Sequence, residues 1–228
     1  MGRDDERNMH QIIRKDARAC FVESKSDCFH LGKAHLEFAA YDMSRAQGSR
    51  FTNHVHIYID IAGFLELCNE AVSGYLHAQM RKLRQLATES ERNPTDINLS
   101  KQANTPLYET LGGTAAQRMR EPRSDGMSQS RCMKLFAGKK QDYLLCAESG
   151  PGKTDAKGLI VPQYGNKPEQ RVTVAMDWRN LTQLLLMTKA HYEAWLTAEY
   201  LRKSNDSTDG RVNGSQYGNI SADDTRMY

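Results

Sequence analysis

Long hydrophobic runs are missing from this 228-residue chain. No stretch approaches the roughly 18 consecutive apolar residues that a membrane-spanning helix needs, and the N-terminal Met-Gly-Arg-Asp-Asp-Glu-Arg lacks the apolar core of a secretory signal. Cysteine is scarce and unpatterned. Cys20, Cys28, Cys68, Cys132 and Cys146 are odd in number and never spaced C-x-x-C, so neither a disulfide framework nor a structural zinc site is supported. A large excess of one charge is also lacking, the net charge being +3. These absences predict a cytoplasmic protein that folds without metal or cofactor and does not associate with membranes.

The small charge surplus is unevenly spread. Residues 1–130 carry 17 Lys/Arg against 17 Asp/Glu, whereas residues 131–203 carry 12 against 7. The basic excess therefore belongs to the second half, a modest pointer to an anionic partner.

One motif invites a nucleotide-hydrolase reading. Ala147-Glu-Ser-Gly-Pro-Gly-Lys-Thr154 satisfies the relaxed phosphate-loop pattern, and Tyr143–Cys146 supplies a strand before it. The pattern works only if a helix leaves the loop so that its N-terminal N–H groups converge on phosphates. Here Asp-Ala-Lys-Gly158 leads instead into Leu-Ile-Val-Pro162, which favours strand and turn over helix. A hairpin is expected, with Gly150, Pro151, Gly152 and Gly158 as turn residues.

An internal repeat is more informative. The stretch starting at Val55 and the stretch starting at Val172 align without a gap at an offset of 117 residues, matching Val55 with Val172, Ile57 with Val174, Asp60 with Asp177, Leu67 with Leu184 and Tyr75 with Tyr192. Each copy opens with the period-two alternation of a half-buried strand. Each then passes through an Asp placed as an N-cap into a long amphipathic helix, read as Phe64–Leu86 in the first copy and Leu181–Arg202 in the second. Strands are expected upstream at Ala19–Glu23, Lys33–Asp42 and Phe51–Asp60, and at Arg131–Gly138, Asp142–Glu148, Gly158–Tyr164 and Glu169–Met176. The expected fold is α+β: two repeated antiparallel-sheet-plus-helix units of ββββα type, forming an intramolecular pseudo-dimer. Residues 1–27 read as an N-terminal extension, 28–88 as the first unit, 89–130 as a polar linker, 131–203 as the second unit and 204–228 as a disordered tail.

Two sheet-plus-helix units in one chain resemble the Whirly and positive-cofactor-four group of single-stranded-DNA-binding transcriptional regulators. The likeness covers roughly residues 33–86 and 131–202 and rests on topology and repeat. It implies the fold and the ligand class and transfers no binding residue.

The strands themselves suit that ligand. Sequence-tolerant single-strand binding calls for cations along phosphates and aromatic faces for base stacking. Alternation places Lys33, His35 and Tyr41 opposite Leu36 and Phe38, and Lys134 and Phe136 opposite Met133 and Leu135. Lys139 and Lys140 fall in the next turn, Tyr143 enters the following strand, and Lys153 and Lys157 sit on the hairpin. These ten residues are the expected nucleic-acid-binding set, with DNA or RNA as partner. The aromatic residues Trp178, Tyr192 and Trp195 read as packing groups, and Arg81, Lys82 and Arg84 as C-terminal helix charges.

Two alternative readings stand beside this one, the first on other residues. His54-Val-His56 has the spacing that turns two imidazoles to one strand face to hold a divalent ion, and Tyr200-x-x-Lys203 places a tyrosine nucleophile and a lysine on a helix, as in single-strand nucleases; no third ligand is evident. A protein-interaction module on the same sheets is the other. The preferred reading is a non-enzymatic binder, with self-association through the long helices left open.

Overall fold

The computed structural model describes residues 9–212. Nine strands and four α-helices follow the order β1 (Gln11–Ala17), β2 (Cys20–Lys25), β3 (Lys33–Tyr41), β4 (Phe51–Asp60), α1 (Ile61–Val72), α2 (Tyr75–Arg92), α3 (Ile97–Ala103), β5 (Tyr108–Thr114), β6 (Ser128–Ala137), β7 (Tyr143–Thr154), β8 (Ile160–Pro162), β9 (Gln170–Met176) and α4 (Trp178–Val212). The class is α+β, with two antiparallel sheets. The first has the order β1-β2-β3-β4; in the second, β5-β6-β7 continues into β8, and β9 pairs with β7 as well.

The repeat is visible in the hydrogen-bond register. In the first sheet Leu36 pairs with Ile57, and in the second Leu145 pairs with Val174, so Ile57 and Val174 occupy matching places 117 residues apart. Each repeat strand then enters a helix through its Asp, but the two caps differ. Asp177 accepts the Asn180 N–H at 2.7 Å, as an N-cap should. Asp60 makes no side-chain cap and pairs instead with Lys33 Nζ at 2.5 Å.

Alternation decides which sheet faces meet. Val22, Leu36, Phe38, Val55, Ile57 and Ile59 of the first sheet are buried in the same cluster as Met133, Leu135, Tyr143, Leu145, Val172 and Val174 of the second, with Phe64, Leu67, Leu76, Met80, Leu181 and Leu184 from the helices. Each buried side chain of this size contributes about 1.5–3 kcal/mol. The helices also cross between the halves. Arg84 of α2 donates to the Gly138 and Gln141 carbonyls at the β6–β7 turn, at 2.7 and 2.5 Å. Thr188 of α4 donates to Ser24 of β2 at 2.7 Å, or to the Leu184 carbonyl of its own helix at the same distance. Lys15 of β1 reaches Asn180 at 3.1 Å. Arg84, expected as a simple helix-end charge, is thus a clamp on the other half.

The chain divides into two compact units, one running through His191 and one beginning at Tyr192 within α4. In the second unit Tyr192 and Trp195 stack at 5.9 Å, Arg202 pairs with Glu199 at 2.9 Å, and Tyr200 is exposed.

Several expected boundaries move. Residues 1–27 include β1 and β2, which complete the first sheet. Residues 89–130 contain the end of α2, α3, β5 and the start of β6, so an edge strand of the second sheet comes from the expected linker; its Gly112-Gly113 pair conceals a short alternation. The first long helix is broken at Ser73 and Gly74, where Gly74 takes φ +81°, a left-handed conformation glycine tolerates best. Of the expected tail, residues 204–212 are helical and the remainder lies outside the described residues.

The phosphate-loop motif is a strand. Ser149 to Thr154 belong to β7; Gly150 pairs with Ser130 and Gly152 with Ser128. The hairpin turn lies later, at Asp155–Gly158, so Gly150, Pro151 and Gly152 are not turn residues. Gly150 is required for another reason: a Cβ there would lie 2.8 Å from the Tyr164 ring, which packs directly against the strand.

Candidate nucleic-acid interface

Period-two alternation leaves one face of each sheet outside the common core, and the two faces differ. On the first, Arg14, Phe21, Lys25, His35, Glu37, Tyr41, Phe51, His54, His56 and Tyr58 share the face opposite Leu36 and Ile57. At one end, Phe21 lies 6.4 Å from Tyr41 and 6.3 Å from Phe51 between ring centroids, with the Arg14 guanidinium 3.6 Å above the Phe21 ring. With Arg50 and Met43 these rings border an open groove of about 610 Å³. Phe51 is 61% exposed and Tyr58 42%. Phe51, exposed beside two arginines and backed by half-buried Tyr41 and buried Phe21, offers a stacking platform for unpaired bases.

Farther along, the same face is a hydrogen-bonded network. His35 is 3% exposed; its Nδ1 meets Asp27 at 2.8 Å and its Nε2 meets His56 Nδ1 at 2.9 Å, while Tyr58 stacks on it at 4.6 Å. Glu37 is bridged to Lys25 and to His54 at 2.5 Å. Burial opposes the Glu37 charge, but the hydrogen bonds from His54 and Lys25 outweigh it and hold its pKa down at about 2. Burial, then the nearby His54, push His56 down to about 4. Both effects follow from burying the network while placing hydrogen-bond donors against the carboxylate.

Around Glu148 and Gly150 the second face is closed by ion pairing and by Tyr164. Glu148 is buried and bonded to Arg171 at 2.6 Å. Lys134 lies between Glu109 at 3.5 Å and Glu148 at 3.8 Å. Tyr164 lies over Gly150, and Arg123, itself positioned by its neighbour Asp125 at 2.7 Å, ties the same connection down through Glu169 at 2.6 Å.

The expected binding residues therefore separate. Lys33 and the Gly158–Ile160 part of the Lys153–Lys157 hairpin border one cleft of about 550 Å³, together with Tyr58 and Arg131; Lys153 and Lys157 themselves are exposed. Phe136, Lys139 and Lys140 line another groove of about 680 Å³, where Lys139 pairs with Glu91 at 2.7 Å. Tyr41 borders the aromatic groove. Lys134 is engaged by carboxylates. Two residues do not fit. His35 is buried in its network and presents no free ring. Tyr143 is fully buried, because its register with Ala137 and Met176 turns it to the core side with Leu145. Its hydroxyl finds no hydrogen-bond partner, and burial pushes its pKa up.

Phe21, Phe51, Arg14 and Arg50 were missed by sequence reasoning. The alternation of Cys20-Phe-Val-Glu-Ser-Lys25 signals Phe21, but treating residues 1–27 as an extension hid it. No protein-family model, no curated protein and no solved structure matches the chain.

Proposed function

We propose that this protein binds single-stranded nucleic acid in a sequence-tolerant way, mainly through the open face of the first sheet. The observation that carries the proposal is the aromatic groove of Phe21, Tyr41 and Phe51 flanked by Arg14 and Arg50. An exposed phenylalanine on a sheet face gains nothing from water, whereas each base stacked on such a ring contributes roughly 1–3 kcal/mol. Lys33, Lys153 and Lys157 supply phosphate contacts along the neighbouring cleft. Lys139 and Lys140 beside Phe136 form a secondary contact on the other half. The resemblance to Whirly-type regulators supports the same ligand class, and the pseudo-dimer arrangement of the two repeats belongs to this proposal.

Titration of fluorescently labelled oligonucleotides at several salt concentrations tests it. Binding should weaken with salt at a logarithmic slope of about -0.7 per phosphate neutralised, and Phe51→Ala should weaken it at every salt concentration. Absence of binding at low salt would transfer the face to a protein partner. Strand scission in the presence of manganese, with a covalent adduct lost in Tyr200→Phe, would replace the binder with a nuclease.

A further inference from the structure

The imidazole cluster beside the aromatic groove is more than a stacking surface. Across the antiparallel pair, Glu37 stands opposite His56, and His35 lies two residues from Glu37 along β3, so three ligating side chains project from one face. One atom from each, His35, Glu37 and His56, falls within 4.8 Å of the others. Such a donor set, two imidazoles and a carboxylate, suits borderline divalent ions of the first transition row.

The proton pattern is consistent with this use. The Asp27 carboxylate accepts from His35 Nδ1–H at 2.8 Å. That bond fixes the tautomer and leaves the Nε2 lone pair directed at His56, the carboxylate–histidine arrangement that orients metal ligands. Stacking against Tyr58 holds the ring plane. His35 Nε2 and His56 Nδ1 are 2.9 Å apart; two nitrogens on a tetrahedral ion at 2.0–2.1 Å stand about 3.3 Å apart, so a few tenths of an ångström would admit the ion. His56 Nδ1 is 4.0 Å from Glu37 Oε2, within reach of a small side-chain rotation.

We infer that this face carries a site for a zinc-class divalent ion, held by His35 Nε2, His56 Nδ1 and a Glu37 carboxylate oxygen, with Asp27 orienting His35. On binding, His56 moves its single ring proton from Nδ1 to Nε2, so no net proton is lost. Water completes the coordination. His54, bonded to Glu37 at 2.5 Å, orients the carboxylate. Lys25 bridges Glu37 and, at 3.2 Å, Glu23; it yields the Glu37 oxygen to the ion and keeps Glu23. Counting Asp27, Glu37 and Glu23 against Lys25, the surroundings are net negative and favour a dication. The site is independent of nucleic-acid binding: the ion is held by groups that the groove does not use.

Isothermal titration of the metal-stripped full-length protein with zinc chloride, paired with the visible absorption of cobalt(II) bound to it, tests the site. One ion per chain and a cobalt spectrum typical of nitrogen and oxygen ligands are expected. His56→Ala should weaken binding by well over tenfold, and Asp27→Asn by roughly 10- to 100-fold, while His10→Ala leaves it unchanged. His56 is only partly buried, so His56→Ala should retain the apo protein's circular dichroism and melting behaviour; if it does not, His56→Gln repeats the comparison. No heat and no cobalt spectrum would overturn the assignment. So would a site that survives His56→Ala, or one whose cobalt spectrum shows thiolate charge transfer lost in Cys28→Ser.

Discussion

The two halves share a register and differ in what lies over it. Counting along the strands from Leu36 and Leu145, Tyr41 in the first half corresponds to Gly150 in the second. In the first half the β3–β4 connection is closed by the Asp42 N–H to the Arg50 carbonyl at 2.8 Å, and it leaves Phe51 exposed and Tyr41 half-buried, with Phe21 buried beneath Arg14 at the groove floor. The equivalent β7–β9 connection is longer, contributes β8, and folds Tyr164 onto a strand made flat by glycine. One scaffold thus presents an aromatic groove at this end of one sheet and, at the matching end of the other, a surface closed by ion pairs and Tyr164, whose open groove lies instead at Phe136. A repeat conserves core and register because packing constrains both; the open face is free to diverge.

The largest effects should test whether the halves are one cooperative body. Leu36→Ala and Leu145→Ala remove equivalent, nearly fully buried side chains and should each cost about 2–5 kcal/mol. Urea unfolding of either should remain a single transition, because the core cluster and the crossed helices join both sheets. Separate transitions for the halves would break the comparison.

Binding should be asymmetric. Phe51→Ala is expected to weaken oligonucleotide affinity by roughly 5- to 150-fold, the equivalent of one lost stacking contact, while Phe136→Ala on the other half costs less. Equal losses, measured by fluorescence anisotropy, would restore symmetry between the two faces.

Gly150→Ala sharpens the contrast from the covered side. Its methyl group cannot coexist with the Tyr164 ring, so stability should fall by about 1–3 kcal/mol, as in overpacked cores, and limited proteolysis should cut the 155–169 connection sooner. At the corresponding first-half position, Tyr41→Ala should leave stability almost unchanged.

Acid should loosen the same cover. Hydrogen bonds from Arg123 outweigh slight burial and hold Glu169 below its ordinary value of 4.5; the same guanidinium, with the Met127 N–H, holds Asp125 below 3.8. Both folded-state values are depressed, so their stabilisation is present above the unfolded values and is lost as pH falls below them. Proteolysis of the 155–169 connection should therefore accelerate below about pH 4.5, and Glu169→Gln should blunt that acceleration. A rate independent of pH over this range would remove the clamp from the account.

Lys153→Ala should have the smallest effect, with folding intact and the salt slope reduced by about 0.7, one phosphate contact. Magnesium-dependent ATP turnover lost on this substitution would contradict the strand assignment of residues 149–154.

Much of this architecture was legible in local pattern. Period-two alternation placed β3, β4, β6 and β9, identified Leu36, Ile57, Leu135 and Val174 as core, and set Lys33 and Tyr41 on the opposite face, because strand geometry ties side-chain direction to sequence parity. The Val55 and Val172 repeat located the strand-to-helix transitions at Asp60 and Asp177. What local pattern could not give was long-range. Whether Tyr143 faces water or core depends on its register with Met176, 33 positions away. Gly150 reads as a turn until Tyr164 is seen to occupy the space a side chain would need. His54 and His56 read as a two-ligand fragment until sheet pairing brings His35 and Glu37 beside them, with Asp27 fixing the ring that faces His56. Parity is a property of a single strand and is written in the sequence; partners across strands are set by pairing and packing, and those only the tertiary structure decides.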